Sequence, residues 1–172
     1  YYTGRAPLEA VSMGLTCSEN DTFVRCNLVT IHDDIMVDFS GGHISTSEGK
    51  QLINSLNEKV DKTKYQFYPG VSYRNLLKLT NQELEVQTTP PHDITDQIIT
   101  NYLPQGEGAD ILNDLIKQSQ EVFKNHPINQ NRRAKGQPEV TSIWLWGEGK
   151  KPQIPTLEKK YDLSGSIITA VD

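Results

Sequence analysis

The sequence predicts an α+β fold, a ferredoxin-like plait in which an antiparallel sheet carries helices packed on one face. Three observations predict it. Residues 22–31 form a strand-like run with regular side alternation. Two amphipathic helical segments, at 47–60 and 109–123, each stand between strand signals. A Pro69-Gly70 turn joins two short aromatic and aliphatic runs into a hairpin. The resulting order is strand, strand, helix, strand, strand, helix.

Each element has a local cause. Residues 7–13 read as a short helix, with Pro7 near its start and Gly14 as its stop. In the run 22–31, Phe23, Arg25, Asn27 and Val29 point one way and Val24, Cys26 and Leu28 the other. Asp33-Asp34 makes a turn into a second strand at 35–39. Leu52, Ile53, Leu56 and Val60 recur at core spacing in the helix 47–60. Residues 65–68 and 73–79 form the hairpin, and Thr88-Thr89-Pro90-Pro91-His92-Asp93 is a rigid loop. Ile111, Leu112, Leu115, Ile116 and Val122 mark the helix 109–123. Residues 129–136 are polar and basic and read as a loop or a short helix end. A strand is expected at 142–146, a short helix at 155–161 and a last strand at 166–171. The expected division is a flank at 1–16, the α+β unit at 17–136 and a return segment at 137–172. The start at Tyr1 rather than Met, and the strand-like run ending at Asp172, lead to the expectation of a piece of a longer protein.

Composition excludes several function classes. A net charge of −5 gives no bulk attraction for nucleic acid, although Arg132-Arg133 with Lys135 and Lys150-Lys151 are locally basic. No apolar run has membrane-spanning length and there is no secretory core, so no membrane partner is expected. Two cysteines, Cys17 and Cys26, make no disulfide framework, and a cytoplasmic setting is the expectation. There is no Gly-x-Ser-x-Gly elbow, P-loop, His-Glu-x-x-His or Cys-x-x-Cys, and no carboxylate and histidine set with metal spacing.

What the chain does offer is residues suited to binding an anion. Val37-Asp38-Phe39-Ser40-Gly41-Gly42-His43-Ile44-Ser45 runs from strand through a glycine turn toward a helix, the layout of a small-anion site. Arg25 and Asn27 lie on one strand face, and Pro69-Gly70-Val71-Ser72-Tyr73-Arg74 delivers a second arginine. Asn131-Arg132-Arg133 precedes Ile143-Trp144-Leu145-Trp146, whose two indoles share a face. Arginines on separate elements suit bidentate binding of carboxylate or phosphate. Each also has a plain reading, as a solvated surface arginine, a turn histidine or a packed tryptophan.

Several motifs in one order carry a resemblance: Pro7-Leu8-Glu9-Ala10, Arg25-Cys26-Asn27-Leu28-Val29-Thr30, Val37 to Ile44, Tyr68 to Arg74, Pro91-His92-Asp93-Ile94 and Ile143 to Gly149. The series resembles the cofactor-independent phosphoglycerate mutase family of archaeal type, within the alkaline-phosphatase-like metalloenzymes. The resemblance implies a parent with two divalent metals (Mn, Mg or Zn) and a serine-type nucleophile, with a second, inserted domain that closes over phosphoglycerate. The motifs match the inserted, substrate-holding domain; the family's metal ligands and nucleophile fall outside them. No catalytic residue, metal ligand or cofactor is therefore expected within this chain, and the isolated chain is expected to be inactive. The expected substrate contacts are Arg25, Asn27, His43, Arg74, His92 and Asp93, with Arg132 and Arg133 as further candidates. The expected partners are phosphoglycerate and the catalytic domain of the same polypeptide. Two alternatives stay open: another phosphate or phosphonate substrate within the superfamily, and a non-catalytic binding or dimerising module.

Overall fold

The computed structural model describes residues 4–150. The helix expected at 155–161, the strand expected at 166–171 and Asp172 lie outside the described residues. The central strand is β1 (Asp21–His32), whose first ten residues are all buried. It forms a two-residue hairpin with β2 (Ile35–Asp38), and Asp33 and Asp34 both take positive φ, as a tight hairpin with twisted strands demands. After α2 (Thr46–Asn57) come β3 (Tyr65–Tyr68) and β4 (Arg74–Thr80), antiparallel to one another. A small ribbon, β5 (Glu85–Gln87) with β6 (Gln105–Glu107), brackets two 3₁₀ turns at Pro91–Ile94 and Ile99–Asn101. Then follow α3 (Ala109–Lys124), α4 (Pro127–Ala134) and β7 (Ser142–Lys150). β4 and β7 flank β1, both antiparallel to it, so the main sheet reads β3-β4-β1-β7. With α2 and α3 as its two crossovers, this is the ferredoxin-like plait the sequence predicts.

Side alternation along β1 sets the two faces. Val24, Cys26 and Leu28 join Leu77, Leu79, Ile143 and Leu145 beneath Leu52, Ile53 and Leu56 of α2 and Leu112, Leu115, Ile116 and Phe123 of α3. Among the described residues, apolar clusters cover the opposite face at its two ends. Ala6 and Ala10 of α1 (Ala6–Ser12) lie on Phe23 and Leu76 at one end. At the other, Val29, Trp144 and Trp146 pack with Met36, Ile94 and Ile99. Between these two plugs lies a patch that belongs to Arg25 and Asn27, both largely buried.

One expectation needs correction. The boundary at residue 136 does not mark the edge of the sheet: β7 pairs along β1 from Thr22 to Val29, and α1 packs on the same sheet. Of the two readings of residues 129–136, loop or short helix end, the structure takes the helical one, because α4 spans Pro127–Ala134. Its buried positions are Asn129 and Arg132, so the inward face is polar and leaves no hydrophobic period to read. Asn129 donates to the carbonyls of Phe123 and Val140 and accepts from Val140 N–H. His126 caps the helix, its Nδ1 accepting from Ile128 N–H while Nε2 meets Ser55 Oγ at 2.9 Å. Burial lowers the His126 pKa, in keeping with a neutral ring that can accept at Nδ1.

Glycine is required where the chain turns from β2 toward α2. Gly41 and Gly42 have φ of +60° and +66°, and a Cβ on Gly42 would meet Pro138 Cβ at 2.7 Å and Arg132 Nη2 at 2.9 Å. Gly14 has φ +71° with open space around it. Gly42→Ala is therefore expected to destabilise by about 1–3 kcal/mol and Gly14→Ala by only about 1 kcal/mol. Urea midpoints of the two variants check this, and equal losses would show that the crowding at Gly42 is relieved without penalty.

Candidate functional site

The glycine turn is not the anion site its pattern suggests, because the anion is internal. The Asp38 carboxylate accepts from the N–H groups of Ser40 and Gly42 and from the Ser40 hydroxyl. The N-terminus of α2 is likewise occupied by a capping box, Ser45 Oγ accepting from Glu48 N–H and the Glu48 carboxylate accepting from Ser45 N–H. Burial raises the Asp38 pKa, but the bonds from Ser40 and Gly42 and the neighbouring His43 outweigh it, and the carboxyl sits below its usual 3.8. A depressed pKa means that the stabilisation is complete above pH 3.8 and fades as pH falls through the lower folded value. Asp38→Asn is thus expected to be less stable than the wild type at pH 7, with the gap closing below pH 3.8. Paired urea titrations across that range read it, and a gap independent of pH would refute the assignment.

The patch between the two plugs holds a different constellation. Arg5, Arg25, Asn27, Phe39, Tyr73, Arg74, His92 and Trp146 line a cavity of about 170 Å³. Strand pairing puts Asn27 opposite Arg74 on β4 and Trp144 on β7, and puts Arg25 opposite Trp146. Arg25 and Asn27 of β1 and Arg74 of β4, distant in sequence, thus share one face. The Arg25 guanidinium lies over the Trp146 ring, 4.6 Å from its centroid, and its Nε pairs with Glu9 of α1 at 2.9 Å. Arg74, exposed, sits 5.9 Å from the Tyr73 ring centre. His92 meets Phe39 and Trp146 edge-on, and Phe39 meets Tyr73 likewise. The His92 loop is pinned by Trp144 Nε1, which donates to Thr89 O at 2.8 Å.

Asn27 is largely committed within the wall. Its Nδ2 donates to Phe39 O at 3.2 Å and its Oδ1 accepts from Trp146 Nε1 at 3.0 Å. One N–H and one lone pair are left for a ligand. Larger hollows lie elsewhere, but carboxylates outnumber cations in both. One of about 640 Å³ carries Glu83, Glu85 and Glu148 with Lys150, and one of about 430 Å³ carries Asp33, Asp34, Glu121 and Glu139 with Lys124 and Arg133. The small cavity has cationic side chains and no carboxylate on its lining.

Of the residues singled out from sequence, Arg25, Asn27, Arg74 and His92 come together here. Asp93 is exposed beside His92, 3.6 Å from its Nε2. His43, Arg132 and Arg133 do not line the cavity. His43 is exposed on the glycine turn, and Arg133 forms a two-pronged pair with Glu139. Arg132 is buried, donating to Pro138 O, Gly41 O, Gly42 O and Glu48. Reading by sequence missed Arg5, Phe39, Tyr73 and Trp146 as parts of the lining, and Glu9 as the carboxylate that pairs with Arg25 behind it. The shared face of the two tryptophans was the available signal for Trp146. Among the described residues no three His, Cys, Asp or Glu side chains gather as a metal site, and no helix is long and apolar enough to cross a membrane.

Comparison with known proteins identifies the family. The family model described as 2,3-bisphosphoglycerate-independent phosphoglycerate mutase matches residues 1–129. The chain is 45% identical, over its whole length, to the 2,3-bisphosphoglycerate-independent phosphoglycerate mutase of Methanosarcina barkeri, covering 44% of that protein. It is 44% identical to the probable enzyme of that name from Geobacter sulfurreducens, with 99% of this chain and 44% of the relative aligned. The chain thus spans under half the length of these curated relatives. The cofactor-independent phosphoglycerate mutase of Thermoplasma acidophilum shares the fold, with a TM-score of 0.73 over 94% of this chain and 46% of that one, at 22% identity. With three quarters of its residues under one family model, and with these relatives, the chain belongs to the 2,3-bisphosphoglycerate-independent phosphoglycerate mutase family.

Proposed function

We propose that this chain is the substrate-holding domain of an enzyme that interconverts 2-phosphoglycerate and 3-phosphoglycerate, and that the cavity around Arg25 and Arg74 holds the glycerate during phosphoryl transfer. The observation that carries the reading is the convergence of two arginines from separate strands with Asn27 and His92 in a small, carboxylate-free cavity. Arginine forks bind the carboxylate or phosphate oxygens. The remaining N–H of Asn27 and the His92 ring bond a hydroxyl, and Asp93 beside them is a second acceptor. The ring walls from Phe39, Tyr73, His92 and Trp146 shield the held intermediate from water, which keeps phosphoryl transfer ahead of hydrolysis.

The metal-binding group and the nucleophile belong to the remainder of the polypeptide in this reading. When bound there, two divalent ions (Mn, Mg or Zn) supply charge neutralisation at the transferring phosphoryl group. The residues of this chain bind, orient and exclude water; they form no bond to phosphorus. The chain alone is therefore expected to be inactive, its partner is the catalytic part of the same polypeptide, and the setting is cytoplasmic.

The test is the full-length protein assayed for interconversion of the two phosphoglycerates, with Mn²⁺ or Mg²⁺ and no bisphosphoglycerate. Equilibration of the isomers supports the proposal. Turnover of another phosphate or phosphonate compound with no interconversion would replace the substrate while keeping the anion-holding role, since arginine forks recognise the oxygens and not the carbon skeleton.

A further inference from the structure

We infer that Arg132, which lines no part of the cavity, is a positioning residue that sets the cavity's Phe39 wall through the Gly41-Gly42 turn; this rests on the mutase reading above. The turn carries three successive left-handed residues, with φ of +60° at Gly41, +66° at Gly42 and +50° at His43. Such a run is held only by its surroundings. Asp38 grips it from inside through the N–H groups of Ser40 and Gly42. Arg132 grips it from outside, Nη2 donating to Gly41 O at 3.1 Å and Gly42 O at 3.0 Å. Its Nε donates to Pro138 O at 2.7 Å, and its Nη1 pairs with Glu48 Oε2 at 3.2 Å, which ties the turn to the cap of α2. The side chain is only 4% exposed, so the clamp is dry and rigid.

The turn leads straight into the cavity. Phe39 lies two residues before Gly41, separated from it by Ser40, and the Phe39 carbonyl accepts from Asn27 Nδ2. The other end of that amide accepts from Trp146 Nε1. The Phe39 ring stands edge-on to both Tyr73 and His92. A shift of the turn therefore moves the Asn27 amide, the Trp146 indole and the rings that bound His92. The route is a set of bonded contacts with two ends: the clamp outside, the ligand donors inside. Trp144 offers an internal reference, because its indole bonds Thr89 O on a different segment.

Arg132→Gln in the full-length enzyme tests this, with Lys135→Gln at the end of the same helix as the control for lost charge. The expected result is a KM for phosphoglycerate raised roughly tenfold with kcat little changed. It comes with a displaced Trp146 indole N–H resonance and an unmoved Trp144 resonance, the two assigned with a Trp146→Phe variant. Lys135→Gln leaves all of these as in the wild type. A folded Arg132→Gln protein with unchanged KM and an unmoved Trp146 resonance overturns the inference. If Arg132→Gln does not fold, Arg132→Lys keeps the charge but loses the fork; the same two readouts, both unchanged, overturn it there. Wild-type protein without mutase activity would sink the functional reading alone, because the indole resonance still reports whether Arg132 sets the wall.

Discussion

Arg74→Ala in the full-length enzyme is expected to lower kcat/KM for phosphoglycerate by about 10- to 100-fold, the loss of a charged hydrogen bond worth about 1.5–3 kcal/mol. Stability should stay within about 0.5 kcal/mol of the wild type, because the side chain is exposed. Arg25→Ala is expected to match the kinetic loss but also to unfold more easily. It removes a guanidinium that is 8% exposed, stacked on Trp146 and paired with Glu9. Stacking and pairing of this kind add about 1–2 kcal/mol. Steady-state kinetics and urea unfolding on both variants separate the two effects. Arg74→Ala with kcat/KM within about threefold of the wild type would remove Arg74 from the site.

Trp144→Ala should be the most destabilising single change on the Arg25 face of the sheet, by about 3–5 kcal/mol. Trp144 is fully buried on β7 between the 3₁₀ turns and β1, and its indole N–H satisfies Thr89 O. A domain holds only about 5–15 kcal/mol in total, so the variant loses a large share of its margin. Trp144→Phe keeps most of the apolar contact and leaves the carbonyl unmatched, for a smaller loss of about 1–3 kcal/mol. Urea midpoints rank the three proteins. A Trp144→Ala loss below about 1 kcal/mol would mean that the 3₁₀ segment anchors elsewhere. Because the same bond pins the loop that carries His92, the alanine variant should also bind ligand more weakly.

What could be read from residues alone follows the range of the interactions. Alternation along 22–31 is local, so it separates Arg25 and Asn27 from Cys26 and Leu28 correctly. The placement of Arg74 opposite Asn27 is a pairing of strands 47 residues apart, which no local pattern encodes. His43 lies outside this cavity for the opposite reason: nearness to a glycine turn suggested a ligand, while Asp38, close before it, bonds the turn from within. An Asp two residues before a Ser is a common local loop closure, and that signal was present in the sequence. α4 stayed undecided between loop and helix because Asn129 and Arg132 face inward. Arg132, a further substrate candidate by resemblance, is buried and donates to Pro138 O, Gly41 O and Gly42 O, contacts that no local pattern announces.

Ten successive buried residues with hydrogen-bonded neighbours on both edges have a kinetic meaning for β1. Its amides open only with the whole domain, and in heavy water they should be among the last to acquire deuterium. Arg25 and Asn27 ride on that slowest strand. His92 rides on a one-turn segment whose amides can open by themselves. Deuterium uptake should therefore report an occupied cavity at residues 88–94, where slowing is still possible, and stay silent along β1, where protection is already complete.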